Sequence, residues 1–114
     1  MHELSVCMSL LEQVAAIAAE RSAVSVVKIE LDIGPLSGVE ADLLRNAYPI
    51  AAAGTIAETA ELIIHEADIV VRCTDCGAET PAVPNRLVCG ACGDYRTQVV
   101  SGDAMILKSL ELEA

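Results

Sequence analysis

Cysteine occurs as Cys73-Thr74-Asp75-Cys76 and again as Cys89-Gly90-Ala91-Cys92, two pairs separated by twelve residues and each followed by glycine, Gly77 and Gly93. Two thiolates spaced in this way sit on one tight turn and can grip the same ion. Two such turns complete the tetrahedral four-sulfur shell that zinc prefers, with no open position for water. A closed shell of this kind is structural. Glycine after each pair suits a chain that must reverse around the metal with positive φ. Two disulfides or a redox CxxC are the competing chemistries. Disulfide frameworks belong to secreted chains, and no segment with the charged, apolar and small-residue pattern of a signal peptide opens this sequence. A redox pair normally leads into a helix, which Gly77, Pro81 and Pro84 break here. The spacing therefore favours zinc on Cys73, Cys76, Cys89 and Cys92.

The second candidate lies at the amino terminus. A large residue after the initiator discourages removal of Met1, so the Met1 amine, the following backbone nitrogens and the His2 imidazole fall within chelating reach of one ion. Nitrogen-rich coordination of this kind suits Ni(II) or Cu(II), and not Mg or Ca. The bland alternative is an exposed terminal histidine. His65, between Ile64 and Glu66, reads as an exposed or hydrogen-bonded imidazole in a strand. Cys7, a fifth thiol beyond a filled shell, reads as a small core residue. There is no GxxxxGK[ST] loop and no nucleophile with a placed base, so an enzyme is not expected.

At 114 residues the chain has room for one compact body with a small insertion. Its apolar fraction of 54 % excludes disorder, while the lack of Phe and Trp makes the core aliphatic. Apolar runs such as Ala47 to Ala53 are too short to cross a bilayer, so no membrane insertion is expected. A net charge of -10 would repel phosphate backbones. That counts against nucleic-acid binding, the usual guess for a zinc ribbon. Thiols spaced for metal, with no targeting segment, point to the cytoplasm.

The elements that must position these groups follow from periodicity. Leu4, Cys7, Met8, Leu11, Val14, Ala15 and Ala18 recur at helical steps, ending near Ser22. From Ser25 to Ile33 the period becomes two, with Val27, Ile29, Leu31 and Ile33 on one face and Lys28, Glu30 and Asp32 on the other. Gly34 to Gly38 break that strand. Ser37 and Glu40 have capping-box spacing for a second helix carrying Val39, Leu43, Ala47 and Ile50, which Pro49 should kink or end near Tyr48 before Gly54 stops it. A strand at about Ala60 to Glu66 and another at about Ala104 to Leu112, with Ile106, Leu110 and Leu112 together, enclose the cysteine pairs. The expected fold is α+β: a three-stranded sheet flanked by two helices, residues 1–67 and 101–114, with an inserted four-cysteine zinc-ribbon module, residues 68–100. Strand order is open. Antiparallel pairing of the last two strands would let the module leave and return at one edge.

Several stretches together resemble the HypA/HybF family: Met1-His2-Glu3-Leu4-Ser5, Ile33 to Glu40, Gly54 to Glu58, the paired CxxCG motifs and Ile106 to Glu111. The resemblance runs the length of the chain in order. It implies a nickel metallochaperone of [NiFe]-hydrogenase maturation, with urease as a further client. It implies nickel on His2 and nearby backbone nitrogens at Met1, with Glu3 assisting, and structural zinc on the four paired cysteines. It also implies delivery to the hydrogenase large subunit together with a HypB-type GTPase, by a monomer or weak homodimer. The chain departs from the family where Tyr48-Pro49 stands in place of a common phenylalanine, and where Gly90-Ala91 fills the second pair in place of a frequent proline. In some relatives the resemblance implies a further nickel carboxylate near the start of the second helix, which would fall at about Glu40; the capping box already explains Glu40, so it is left out of the site. The competing function is a zinc-ribbon protein-interaction adaptor without metal transfer.

Overall fold

The computed structural model describes residues 2–114. Its elements are α1 (Glu3–Glu20), β1 (Ser25–Ile33), α2 (Ala41–Ala52), β2 (Glu61–Glu66), β3 (Ile69–Cys73), β4 (Glu79–Ala82), β5 (Thr97–Ser101) and β6 (Met105–Glu113). One three-stranded sheet is ordered β2-β1-β6 and a second β4-β3-β5. This is the expected α+β fold of two helices, a small sheet and a four-cysteine module. Contacts divide it into one unit of Met1–Leu31, Glu40–His65 and Leu107–Ala114, and another of Asp32–Val39 and Glu66–Ile106.

In the first unit, α1 buries Glu3, Cys7, Leu10, Leu11, Val14 and Ala18 at three- and four-residue steps. The buried stripe is rotated from the expected one. Leu4 and Met8 are 43 % and 54 % exposed, and Leu10 is buried in their place. Two apolar columns compete on this helix, and the acid Glu3 at the head of the buried one disguises it. The Met8 column instead lines an open groove of about 570 Å³ with Ala15, Ala19, Ala51 and Ile56. The helix ends where Ser22 adopts φ +52° and Ala23 N–H returns to Ala18 O at 2.9 Å.

The capping box is not formed. Gly38 takes φ +79°, which no helical residue adopts, so α2 starts later, with Glu40 as its extended N-cap and no side-chain cap. Ser37 Oγ accepts the Val39 N–H at 3.2 Å instead. The helix buries Ala41, Leu44, Tyr48 and Ala52, leaving Leu43 and Ile50 exposed, and it runs through Pro49 to Ala52. Tyr48 explains how the departure from phenylalanine is accommodated: its hydroxyl donates to Ala57 O at 2.7 Å, so the buried phenol is satisfied.

β1 has the expected bounds and lies between β2 and β6, so the two strands that bound the module do not pair with each other. The central strand is the one of the three with fully buried side chains. It buries Val26, Ile29, Leu31 and Ile33, with Val26 replacing the expected Val27, which is 41 % exposed. Along β6 the half-buried residues are Met105 and Leu107, then Leu110 and Leu112. The alternation thus shifts phase across Lys108-Ser109, which leaves Ile106 exposed.

In the second unit, β3 is the centre of an antiparallel sheet that the sequence did not resolve, pairing Val71 with Thr80 of β4 and with Val99 of β5. Ile69, Val71 and Cys73 are its buried residues. Gly34 and Gly102 meet at its base. Leu36 N–H donates to Gly102 O at 2.9 Å, and a Cβ on Gly34 would overlap that carbonyl. Gly102 itself has φ +95°. Replacing Tyr48 by Phe removes one buried hydrogen bond and should lower stability by about 1 kcal/mol without changing the fold, as read by urea denaturation.

Candidate metal centre

Each cysteine pair folds as a knuckle. After Cys73 and Cys89 the chain turns so that Gly77 N–H returns to Cys73 O at 3.1 Å and Gly93 N–H to Cys89 O at 2.8 Å. Gly77 and Gly93 have φ +76° and +78°, as expected of glycine that closes such a turn. The reversal also aims amides at sulfur. Cys73 Sγ accepts the Asp75 and Cys76 N–H groups at 3.4 Å, and Cys89 Sγ accepts those of Ala91 and Cys92 at 3.3 and 3.4 Å.

The knuckles face one another. Cys73 and Cys92 Sγ are 3.6 Å apart, as are Cys76 and Cys89 Sγ, and all four sulfurs lie within 4.8 Å of one another. A tetrahedron with zinc–sulfur bonds of 2.3 Å has edges of about 3.8 Å, so the spacing fits a metal such as zinc. Disulfide sulfurs bond near 2.0 Å, and all five cysteines are free here. Ionisation of the cluster is internally opposed. Donors led by the Cys92 N–H draw the Cys89 thiol down to about 6. At Cys92 the Asp94 N–H pulls downward, but Cys73, lost hydration and Cys89 outweigh it and push the thiol up to about 12. Four thiolates cannot share this space without a cation between them, which is the condition a divalent metal satisfies.

Residues outside the pairs hold the knuckles in place, and cysteine spacing gave no sign of them. Thr74 N–H and Oγ1 donate to Arg96 O at 2.9 and 2.7 Å. Gly90 N–H donates to Thr80 Oγ1 at 2.8 Å, and a Cβ on Gly90 would crowd the Thr80 side chain at 3.1 Å. Arg96 grips Asp94 through both carboxylate oxygens and holds that acid down to about 2. Asp94 O in turn accepts the Cys89 N–H at 2.9 Å.

At the amino terminus His2 is the N-cap of α1; its side chain is exposed and makes no capping bond. Its carbonyl accepts Val6 N–H at 2.9 Å and Ser5 Oγ–H at 2.8 Å. Met1, the other main-chain donor expected there, lies outside the described residues. Glu3 is only 5 % exposed, and its Oε2 accepts the Glu40 N–H at 3.4 Å. The remaining candidates are explained by local contacts. His65 Nε2 lies 2.9 Å from Glu30 Oε2 and keeps that carboxyl below its usual range. Cys7 is fully buried, its thiol donates to Leu44 O at 3.6 Å, and burial pushes its pKa up. No helix among the described residues is long and apolar enough to cross a membrane.

Fold and sulfur cluster define a small α+β protein with a ribbon able to hold one metal ion. The family described as "Hydrogenase/urease nickel incorporation, metallochaperone, hypA" matches residues 1–112. Hydrogenase maturation factor HypA of Nitrosospira multiformis is 46 % identical, covering 98 % of this chain and 97 % of its own. That of Aquifex aeolicus is 45 % identical, covering 99 % and 98 %. The solution structure of the Ni metallochaperone HypA from Helicobacter pylori aligns with a TM-score of 0.75 at 27 % identity over 100 % of this chain and 99 % of that one. The chain belongs to the HypA family of hydrogenase and urease nickel-incorporation metallochaperones.

About thirty residues cannot stabilise themselves by apolar burial alone, whereas a structural zinc contributes on the order of 10 to 16 kcal/mol. Cys73→Ser should therefore abolish amide protection in β3, β4 and β5 while α1 and α2 keep theirs, as read by hydrogen exchange. Simultaneous loss of helical protection would show that the helices depend on the cluster.

Proposed function

We propose that this protein carries Ni(II) at its amino terminus and delivers it, with a HypB-type GTPase, to the large subunit of [NiFe]-hydrogenase, with urease as a further client. The cargo ion binds the Met1 amine, the neighbouring backbone nitrogens and the His2 imidazole, with Glu3 assisting. A zinc ion resident on Cys73, Cys76, Cys89 and Cys92 holds the ribbon, residues 68–100, while residues 1–67 and 101–114 form the nickel-binding body. The working compartment is the cytoplasm, and the working form is a monomer or weak homodimer. The observation that carries this reading is the position of His2, exposed at the N-cap of α1 in a chain of the nickel-incorporation family.

The two sites suit opposite tasks. Four sulfur ligands drawn from two knuckles close the shell around their ion, which suits retention. Nitrogen ligands at a chain end can be replaced one at a time by an approaching partner, which is what a carrier requires. Those nitrogens must give up protons to bind, so capture weakens as acidity rises. The protein's part is to hold and hand over the ion, and nucleotide hydrolysis belongs to the GTPase. A net charge of -10 favours a partner with a basic docking face.

Untagged protein equilibrated with excess nickel should contain one zinc and one nickel by elemental analysis after desalting. His2→Ala, or residues added before Met1, should remove the nickel and leave the zinc. Nickel that survives both changes would overturn the terminal site and favour a zinc-ribbon adaptor.

A further inference from the structure

Two close sulfur contacts cross between the knuckles. Cys73 Sγ lies 3.6 Å from Cys92 Sγ, and Cys76 Sγ lies 3.6 Å from Cys89 Sγ. In each contact a buried cysteine faces an exposed one: Cys73 and Cys89 are 2 % exposed, whereas Cys76 and Cys92 lie at the surface. The buried sulfurs also accept two backbone N–H groups each, which draw charge from them. All four are thiolates in a metal-loaded ribbon, so access decides which of them a dissolved oxidant reaches first. Cys76 and Cys92 are the accessible pair, and each has a second thiolate in contact behind it.

We propose that the cluster is a site of reversible oxidation by hydroperoxides, in which the exposed Cys76 and Cys92 are attacked and the buried cysteines of the opposite knuckle resolve them, giving the disulfides Cys76–Cys89 and Cys73–Cys92. This rests on the zinc reading proposed above and adds a redox response to that site. The Cys76 thiolate attacks hydrogen peroxide; an S–O bond forms as the O–O bond breaks, and hydroxide leaves. The Cys89 thiolate then attacks the sulfenic sulfur, forming the S–S bond and expelling a second hydroxide. Two protons from solvent turn both hydroxides into water, so two thiolates and one peroxide give one disulfide and two waters. Cys92 and Cys73 repeat the sequence with a second peroxide. Four negative charges are lost, and no charged ligand remains to hold a divalent ion.

The pairing also decides what becomes of the ribbon. Bringing sulfurs from 3.6 Å to disulfide length is a shift of about 1.6 Å. A bridge between knuckles ties the same two chain segments that the metal ties, whereas a bridge within a knuckle, Cys73 to Cys76 or Cys89 to Cys92, leaves them untied. The oxidised ribbon therefore sheds its ion and stays closed, and a thiol reductant returns it to the metal-binding form.

The test treats full-length, untagged, zinc-loaded protein with hydrogen peroxide, blocks free thiols by alkylation and digests with trypsin without reduction. Arg72, Arg86 and Arg96 place Cys73 and Cys76 on one tryptic peptide, 73–86, and Cys89 and Cys92 on another, 87–96. Oxidation across the knuckles should join these peptides in one species, and its fragmentation assigns the pairs. One zinc per chain should appear on a chromophoric chelator in step with the joined species. The fully buried Cys7 should remain a free thiol. Amide protection in β3, β4 and β5 should persist in the oxidised protein, and dithiothreitol with zinc should restore the starting form. Two separate peptides, each with an internal disulfide, would overturn the proposal, as would sulfinic acids without disulfides or full retention of zinc in excess peroxide. Failure of the zinc reading is separable, since the untreated protein would then contain no zinc by elemental analysis.

Discussion

Four sulfurs converging within 4.8 Å are the constraint on which the ribbon depends. The amides that point at Cys73 and Cys89, the two positive-φ glycines and the Thr74, Thr80 and Asp94 contacts all serve to bring negative charge together, an arrangement that is unfavourable until a cation joins it. The fold around the cluster is correspondingly sparse. Ile69, Val71 and the cysteines Cys73 and Cys89 are the buried apolar residues of the short β4-β3-β5 sheet and its knuckles, too few to order it by burial. A metal in this role is a structural member, and its closed shell makes it a poor candidate for cargo.

The amino-terminal unit works in the opposite way. Aliphatic packing of α1, β1 and α2 stabilises it, and polar contacts serve direction more than stability. Glu3 and Cys7 set the register of the helix pair, while Tyr48 closes the far end of α2 onto Ala57. His2 is the exposed N-cap of α1. On the proposed reading, the helix presents the chelating nitrogens and the exposure of His2 lets a partner displace them.

Much of this was legible in the sequence. The cysteine spacing located the cluster, because metal geometry leaves little freedom to residues two apart. β1 could be bounded because Val27 to Ile33 alternate between aliphatic residues and charges before Gly34. Other features were hidden for identifiable reasons. The face of α1 was misread because its buried column begins with a carboxylate, and the capping box failed because the φ of Gly38 is set by a turn and not by the Ser37–Glu40 spacing. Strand order was not encoded locally, since β1 and β6 carry equally many apolar residues and only long-range pairing puts β1 in the centre. The support of Glu3 by Glu40 joins residues 37 apart and leaves no trace in periodicity.

The central claim is that two metals occupy two chemically distinct sites, one of sulfur and one of nitrogen. X-ray absorption at the zinc and nickel edges of one doubly loaded, untagged sample tests it directly. The account predicts zinc surrounded by four sulfurs at about 2.3 Å and nickel surrounded by nitrogen and oxygen, with imidazole scattering and no sulfur. Sulfur in the nickel shell would contradict it, because the ribbon would then be the cargo site.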